Sequence, residues 1–519
     1  MALNWVFPNC GNFSVTGADI VEDNFSNEES PPVNIFLREL VQNTLDARPN
    51  NSSSVRLVVK ETTVPVTVIN SIFNGEFLDR LDASEKRRPD MLNISKLLLV
   101  EDFGTTGLSG KWDNQNYEGE SEHWNAFWFK EGEGTKMGKG ANGSAGQGKI
   151  TFYKMSQLRT IIGYTVRHDD KAQLLMGRSH FSRDYSMDGC RFQRHSFWSC
   201  DNSSARPLEA GVELDGLVSE IGFIRKKNEP GFSMAIPCPG EIDETKIIFS
   251  LAAEFYYPVK FGKLIFEING KSINQETIDM YANSFTNSQL QQSFSVFTST
   301  MRDFICATMS VPEVDKFVAK SHWCNNPIIE SESFEDGVIK NLIKKFEEGN
   351  LVAVRFPVTV SSIKDGKKDS YFDVYLQSPA NLQKSEEAFI RKDLVIGSER
   401  HISSGGHFRK SRTITHINDD VLSAFLADAE EPTHLKWNSR RKRLNDRFKN
   451  CDVLLRHVRN AAARLLNHLS GVSETVDRRT LGSYFPKPGD HEGPMLNGKN
   501  KKAKPKREVI APELPSIPS

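Results

Sequence analysis

Between Pro32 and Pro49 the chain runs Asn34-Ile35-Phe36-Leu37-Arg38-Glu39-Leu40-Val41-Gln42-Asn43-Thr44-Leu45-Asp46-Ala47. Pro31-Pro32 opens this stretch, strong helix formers fill it and Pro49 ends it, which predicts a helix. Spacings of four and seven put Glu39, Asn43 and Asp46 on one face. Such a polar stripe ordinarily meets water. Two details argue for a use instead. Asn is a weak helix former that needs a reason to sit mid-helix. The flanking Ile35, Phe36, Leu40, Val41 and Leu45 leave little of the helix for solvent.

Working outward, strand-like runs follow at Val55 to Lys60 and Val64 to Ile69. A third apolar run, Leu97-Leu98-Leu99-Val100, ends at Glu101-Asp102-Phe103-Gly104-Thr105-Thr106-Gly107. An acid at a strand end lies where the ligand sites of α/β sheets gather. Gly104 and Gly107 allow a tight turn and a close backbone approach to a ligand. A carboxylate there suits an exocyclic amine such as that of adenine. Taken alone, an Asp-Gly turn is a common surface feature.

Next comes a segment with Gly132, Gly134, Gly138, Gly140, Gly143, Gly146 and Gly148, followed by Lys149 and an apolar run. So much glycine is an entropic load for a mere linker inside a folded domain. Backbone amides ahead of a helix make an anion site, and Lys149 adds a positive charge. Gly143-Ser144-Ala145-Gly146-Gln147-Gly148-Lys149 also matches G-x-x-x-x-G-K, the start of a P-loop. A P-loop needs Ser or Thr next and a buried strand before. Here Ile150 follows and the polar run Lys130 to Asn142 precedes, so the P-loop is set aside.

In this order the three pieces resemble the GHKL (Bergerat-fold) ATPases, which include gyrase-type topoisomerases, MutL mismatch-repair proteins, heat-shock chaperones, histidine kinases and MORC proteins. Glu39-x-x-x-Asn43-x-x-Asp46-Ala47 is similar to their N box. Asp102-x-Gly104-x-x-Gly107 is similar to their D-x-G-x-G box, and Gly143-x-x-Gly146-x-Gly148-Lys149 to their glycine-rich lid. The resemblance spans residues 30 to 275 and implies an α/β fold, an α+β two-layer sandwich, that binds ATP with Mg²⁺. It casts Glu39 as the base that polarises the attacking water and Asn43 as the Mg²⁺ ligand. Asp46 would order the site and Asp102 would read the adenine amine. Gly143, Gly146, Gly148 and Lys149 would close over the phosphates. Two departures stand out. The second box is one residue longer than the family's. The later Gly-Thr element has its nearest counterpart in Gly231-Phe232-Ser233, with Ser233 as the expected hydroxyl.

The 519 residues suggest several domains. We expect an ATP-binding domain over 1–275, a helical connector over 276–345 and a β-rich, transducer-like α/β domain over 346–415. A basic helical region over 416–471 and a disordered tail over 472–519 would follow. Phe261 to Asn269 reads as a strand ending in the hairpin turn Asn269-Gly270. Residues 364–369 read as a second hairpin turn. By the resemblance, Arg391 or Lys392 would reach the γ-phosphate.

A net charge of −1 selects neither nucleic acid nor membrane, so any such preference is local. Lys436, Arg440, Arg441, Lys442, Arg443, Arg447, Lys449, Arg456, Arg459 and Arg464 make 436–464 the candidate DNA contact. Leu481, Tyr484 and Phe485 are apolar anchors in the tail. Seven scattered cysteines with no C-x-x-C pair predict free thiols in a reducing compartment. No signal peptide and no long apolar run is present, so a cytoplasmic protein without a membrane span is expected. Function follows from the resemblance. It implies an ATP-hydrolysing conformational switch working with DNA or protein partners, with ATP-dependent homodimerisation, of the sort found in bacterial phage defence. The alternatives are a non-hydrolysing ATP sensor and a chaperone-like ATPase.

Overall fold

The computed structural model describes residues 3–11, 32–49, 52–85, 94–113, 122–130, 149–201, 204–286, 298–325, 329–397, 399, 401–402, 409–431 and 436–470. The glycine-rich run 132–148, with Gly143, Gly146 and Gly148, and the tail from 472 lie outside the described residues.

The stretch around Asn43 is a helix from Pro32 to Asp46. Phe36, Leu37, Leu40, Val41 and Leu45 are each at most 5% exposed. Burying a side chain of this size contributes about 1.5–3 kcal/mol. Five of them fix the rotation of the helix and so the direction of its polar stripe.

These residues pack on a ten-stranded sheet. Its order is Asn4–Val6, His195–Ser199, Gln173–His180, Thr160–Val166, Gly231–Pro237, Lys96–Phe103, Val55–Thr63, Leu264–Ile268 and Lys271–Ile273, with Leu208–Glu209 pairing to Gln173–His180. Only Leu264–Ile268 runs parallel to its neighbour Val55–Thr63 among the described pairs of this sheet. Both faces are buried. Leu98 and Val100 join the core under the Asn43 helix, with helices His123–Phe129, Ile150–Lys154, Glu244–Glu254 and Tyr256–Lys260. Leu97 and Leu99 face helices Val66–Ile72, Gly75–Glu85 and Val212–Ile221. A strand covered on both sides is a continuous apolar run, as Leu97 to Val100 is. The α/β class expected from the sequence is the architecture found.

One element differs. Val64 to Ile69, expected as a strand, lies mostly in the helix Val66–Ile72. Pro65 precedes the helix, and its carbonyl accepts from the amides of Val68 and Ile69. Val68, Ile69 and Ile72 are buried at helical spacing, so tertiary burial overrides the strand propensity of the β-branched residues. The hairpin turn holds: Asn269 and Gly270 both take positive φ between Leu264–Ile268 and Lys271–Ile273.

A six-stranded sheet follows, in the order Phe317–Val318, Val352–Ser362, Gly366–Gln377, Arg412–Ile417, Glu386–Arg391 and Leu394–Val395. Trp323, Leu342, Phe356, Phe372, Phe425 and Leu465 share its main core. The segments expected as connector, β-rich unit and basic helices thus contribute to one core. The other face gives Ala353, Tyr375, Ala388, Ile390 and Ile414 to the core of the first sheet.

His416 lies in this second sheet, 8% exposed, against the Tyr257 ring. Burial, aided by the Lys263 charge, lowers its pKa from 6.5 to about 4. In that interval the unfolded chain binds a proton that the folded chain does not. Stability is therefore lost as pH falls from 6.5 toward about 4. Urea denaturation of His416→Phe across this window should show a smaller loss than wild type. An unchanged pH slope would remove His416 as the cause.

Candidate functional site

Glu39, Asn43 and Asp46 share one side of their helix, and all three are partly exposed. Asn43 Nδ2 donates to Glu39 Oε1 at 2.9 Å. The amide is thereby oriented with its nitrogen spent. Among the described residues, Asn43 Oδ1 and Glu39 Oε2 have no hydrogen-bond partner. An amide oxygen is a fitting ligand for a hard cation, and a carboxylate oxygen can accept a proton from water.

The second box stands at the end of the strand Lys96–Phe103. Thr106 N donates to Ala47 O at 2.9 Å, which ties the Gly104–Gly107 turn to the end of the Asn43 helix. Both glycines have positive φ. A Cβ on Gly107 would lie 2.6 Å from Val166 O, 2.8 Å from Thr165 Oγ1 and 3.0 Å from Gly231 O. The longer box is thus closed by packing Gly107 against two strands.

The Asp102 side chain is 14% exposed. Its Oδ1 accepts from Thr105 Oγ1 and, at 2.8 Å, from Phe232 N. Among the described residues Oδ2 has no partner. Burial pushes this carboxyl up. The nearby Arg225 guanidinium, 3.9 Å from Oδ1, the Thr105 hydroxyl and the Phe232 amide oppose that rise.

Arg225 is the residue that sequence reasoning missed. It begins the run Arg225-Lys226-Lys227, which looks like surface charge. Its side chain is 0% exposed. It donates to the carbonyls of Asp102, Phe232 at 2.8 Å and Pro230 at 3.0 Å, and to Ser233 Oγ at 2.9 Å. It also stacks over the Phe103 ring, 4.6 Å from its centroid. Burial lowers its pKa. No spacing in the sequence signals these contacts.

Ser233 does not join Asp102. It pairs with Glu101 across the sheet, which leaves Phe232 opposite Asp102. Alternation puts Ser233 on the other face, where its hydroxyl donates to Glu101 Oε2 at 2.7 Å. The hydroxyl on the Asp102 side belongs to Thr165, opposite Phe232. Thr165 Oγ1 donates to Gly231 O at 3.0 Å and accepts from Leu108 N at 2.9 Å.

Lys149, 5% exposed, donates to the carbonyls of Ala126 at 2.7 Å, Phe127 at 3.0 Å and Lys130. It serves the last turn of the helix His123–Phe129, whose carbonyls have no partner within the helix. Arg178 does the same for Trp128 O at 2.7 Å.

Arg391 is 0% exposed and pairs with Glu430, while Lys392 binds Asp420 and Asn418 O. The residue that meets the Asn43 helix is the next one. Asp393 Oδ2 lies 3.3 Å from Arg48, just past the helix end, and Oδ1 pairs with Lys263. Along 436–464, Lys436 pairs with Glu431, Arg443 and Arg447 with Asp428, Arg456 with Asp452 and Arg459 with Glu399. Arg440, Lys442 and Lys449 are exposed with no ion pair among the described residues. No group of three His, Cys, Asp or Glu residues able to hold a metal occurs among the described residues.

The two glycines of the second box should differ in tolerance. Both substitutions carry positive-φ strain, and Gly107→Ala in addition drives a Cβ into backbone carbonyls. For Gly104→Ala the tightest contact is Ser54 O, at 3.3 Å, with Val55 Cα at an ordinary 3.8 Å. We expect a cost of about 1 kcal/mol for Gly104→Ala and on the order of 3 kcal/mol or more for Gly107→Ala. Urea denaturation checks the ranking, and equal costs would contradict the packing described.

Neither a protein-family model nor a curated protein matches the chain. Among solved structures, it is similar to the ATPase region of Saccharomyces cerevisiae topoisomerase II. The identity is 8% and the TM-score 0.33, over 84% of this chain and 86% of that one. It is also similar to the ATPase and transducer domains of DNA topoisomerase II from Balamuthia mandrillaris, at 9% identity and a TM-score of 0.33, over 85% and 83%. At this level neither likeness assigns a role to any residue.

Proposed function

We propose that the chain is an ATP-binding and ATP-hydrolysing conformational switch of the GHKL type. One observation carries this reading. Among the described residues, Asn43 Oδ1 and Glu39 Oε2 stand unpartnered on a buried-flanked helix, and a backbone hydrogen bond joins that helix to the turn after Asp102, whose Oδ2 is likewise unpartnered among them.

These three acceptors, one amide oxygen and two carboxylate oxygens, suit the two ends of a magnesium nucleotide. Asn43 would hold the metal through Oδ1, and Mg²⁺ when bound neutralises phosphate charge. Glu39 Oε2 would accept a proton from the attacking water, while Oε1 stays fixed by Asn43. Asp102 Oδ2 would accept from the exocyclic amine of adenine, and Asp46 would help order the site. Gly104 and Gly107 shape the turn around the base. Gly143, Gly146 and Gly148 would surround the phosphates.

On this reading the switch works with DNA or protein partners and self-associates when ATP is bound. Arg440, Lys442 and Lys449 are its DNA-contacting candidates, since no ion pair takes up their charges among the described residues. A bacterial phage-defence setting is placed on the family resemblance alone. No helix among the described residues is long and apolar enough to cross a membrane. A second reading, a non-hydrolysing ATP sensor, is favoured by the longer second box and by Ser233, whose hydroxyl is committed to the opposite face.

Steady-state hydrolysis with Mg²⁺ and calorimetric ATP binding decide between them. Asn43→Ala and Asp102→Asn should abolish nucleotide binding. Glu39→Ala should keep binding and lose turnover by about 10²–10⁴-fold. Binding without turnover in wild type would select the sensor, and no ATP binding by wild type would end both readings. Duplex DNA should stimulate wild type more than the Arg440→Glu, Lys442→Glu, Lys449→Glu triple variant.

A further inference from the structure

Gln42 lies three residues after Glu39, one before Asn43 and four before Asp46. On a helix these spacings make it a neighbour of the polar stripe. It is 1% exposed. Neither Nε2 nor Oε1 has a hydrogen-bond partner among the described residues. A carboxamide carries two N–H donors and an acceptor oxygen. Keeping it dry and unpaired costs free energy that an apolar side chain of the same length would not.

The other long or amide side chains turned inward from this helix are served. Arg38 pairs with Glu254, and Asn34 Oδ1 accepts from Ser250 Oγ at 3.0 Å. Gln42 is the exception on the helix among the described residues. A buried amide left unpaired beside a candidate cation ligand and a candidate base marks a place where a bound group completes the hydrogen bonding.

We infer that Gln42 is a further binding residue of the same site, its carboxamide hydrogen-bonding the phosphate–magnesium end of the bound nucleotide. This rests on the nucleotide reading of Glu39 and Asn43. The groups met there are oxygens, either of a phosphate or of a water on the metal, and an amide can donate to the first and accept from the second. Asp102 lies at the base end, so Gln42 should distinguish ligands by their phosphates and not by their base.

The test is Gln42→Leu, with Gln42→Met as the variant to use if Leu does not fold. Thermal unfolding without nucleotide and calorimetric binding of adenosine, Mg-ADP and a non-hydrolysable Mg-ATP analogue are the readouts. The variant should melt at or above the wild-type temperature without nucleotide, because an unpaired buried amide has been removed. Adenosine affinity should stay within about twofold. Affinity for the Mg-ATP analogue should fall about tenfold, the effect of one lost hydrogen bond. Unchanged affinity for the analogue overturns the inference, as does an equal loss for adenosine. If Asn43→Ala loses the analogue while Gln42→Leu keeps it, only the inference on Gln42 fails. If wild type binds none of the three ligands, the nucleotide reading itself fails.

Discussion

One buried guanidinium holds the candidate site together. Arg225 reaches the carbonyls of Asp102, Pro230 and Phe232 and the hydroxyl of Ser233, where two antiparallel strands end. The Ser233 hydroxyl in turn donates to Glu101. A buried charge is tolerable only when its donors are satisfied, and here carbonyl and hydroxyl oxygens from both strands satisfy them. Gly231 leaves the room: a Cβ there would meet Arg225 and the Asp102 carbonyl, each at 2.4 Å. The register that sets Phe232 opposite Asp102, and so the orientation of the Asp102 carboxylate, depends on this arrangement.

The same economy of charge connects the site to the second sheet. Asp393, between the strands Glu386–Arg391 and Leu394–Val395, meets Arg48 beyond the Asn43 helix and Lys263 beside the strand Leu264–Ile268. A short path of polar contacts therefore runs from the turn after Asp102, through Ala47 and Arg48, to the second sheet. Any movement of the Asn43 helix would strain that path. The contact uses an acid, Asp393, next to the Arg391 and Lys392 that the family resemblance singled out.

Deeper in the second sheet, Arg391 and Glu430 pair with neither side chain exposed. Glu399 takes His401, Arg459 and the Trp437 amide, and burial is outweighed by these partners, which pull its pKa down to about 2. Much of the positive charge along 436–464 is thus spent on holding helices to a sheet. A basic run in a sequence counts charges, whereas a surface keeps only those that no carboxylate has taken.

The sequence by itself determined the Asn43 helix, the Asp102 strand end, the Asn269-Gly270 turn and the α/β class. Each follows from local periodicity, proline and glycine placement, or turn chemistry, which act between residues close along the chain. Only the tertiary structure decided that 66–72 is a helix, because its apolar residues find a core on one side. It alone set Ser233 facing away from Asp102, since strand register is fixed by pairing with Glu101, 132 positions apart. It alone brought Arg225 beneath Asp102, turned Lys149 to the end of a helix and left Gln42 buried without a partner among the described residues. These are consequences of packing between distant segments, and no spacing along the chain encodes them.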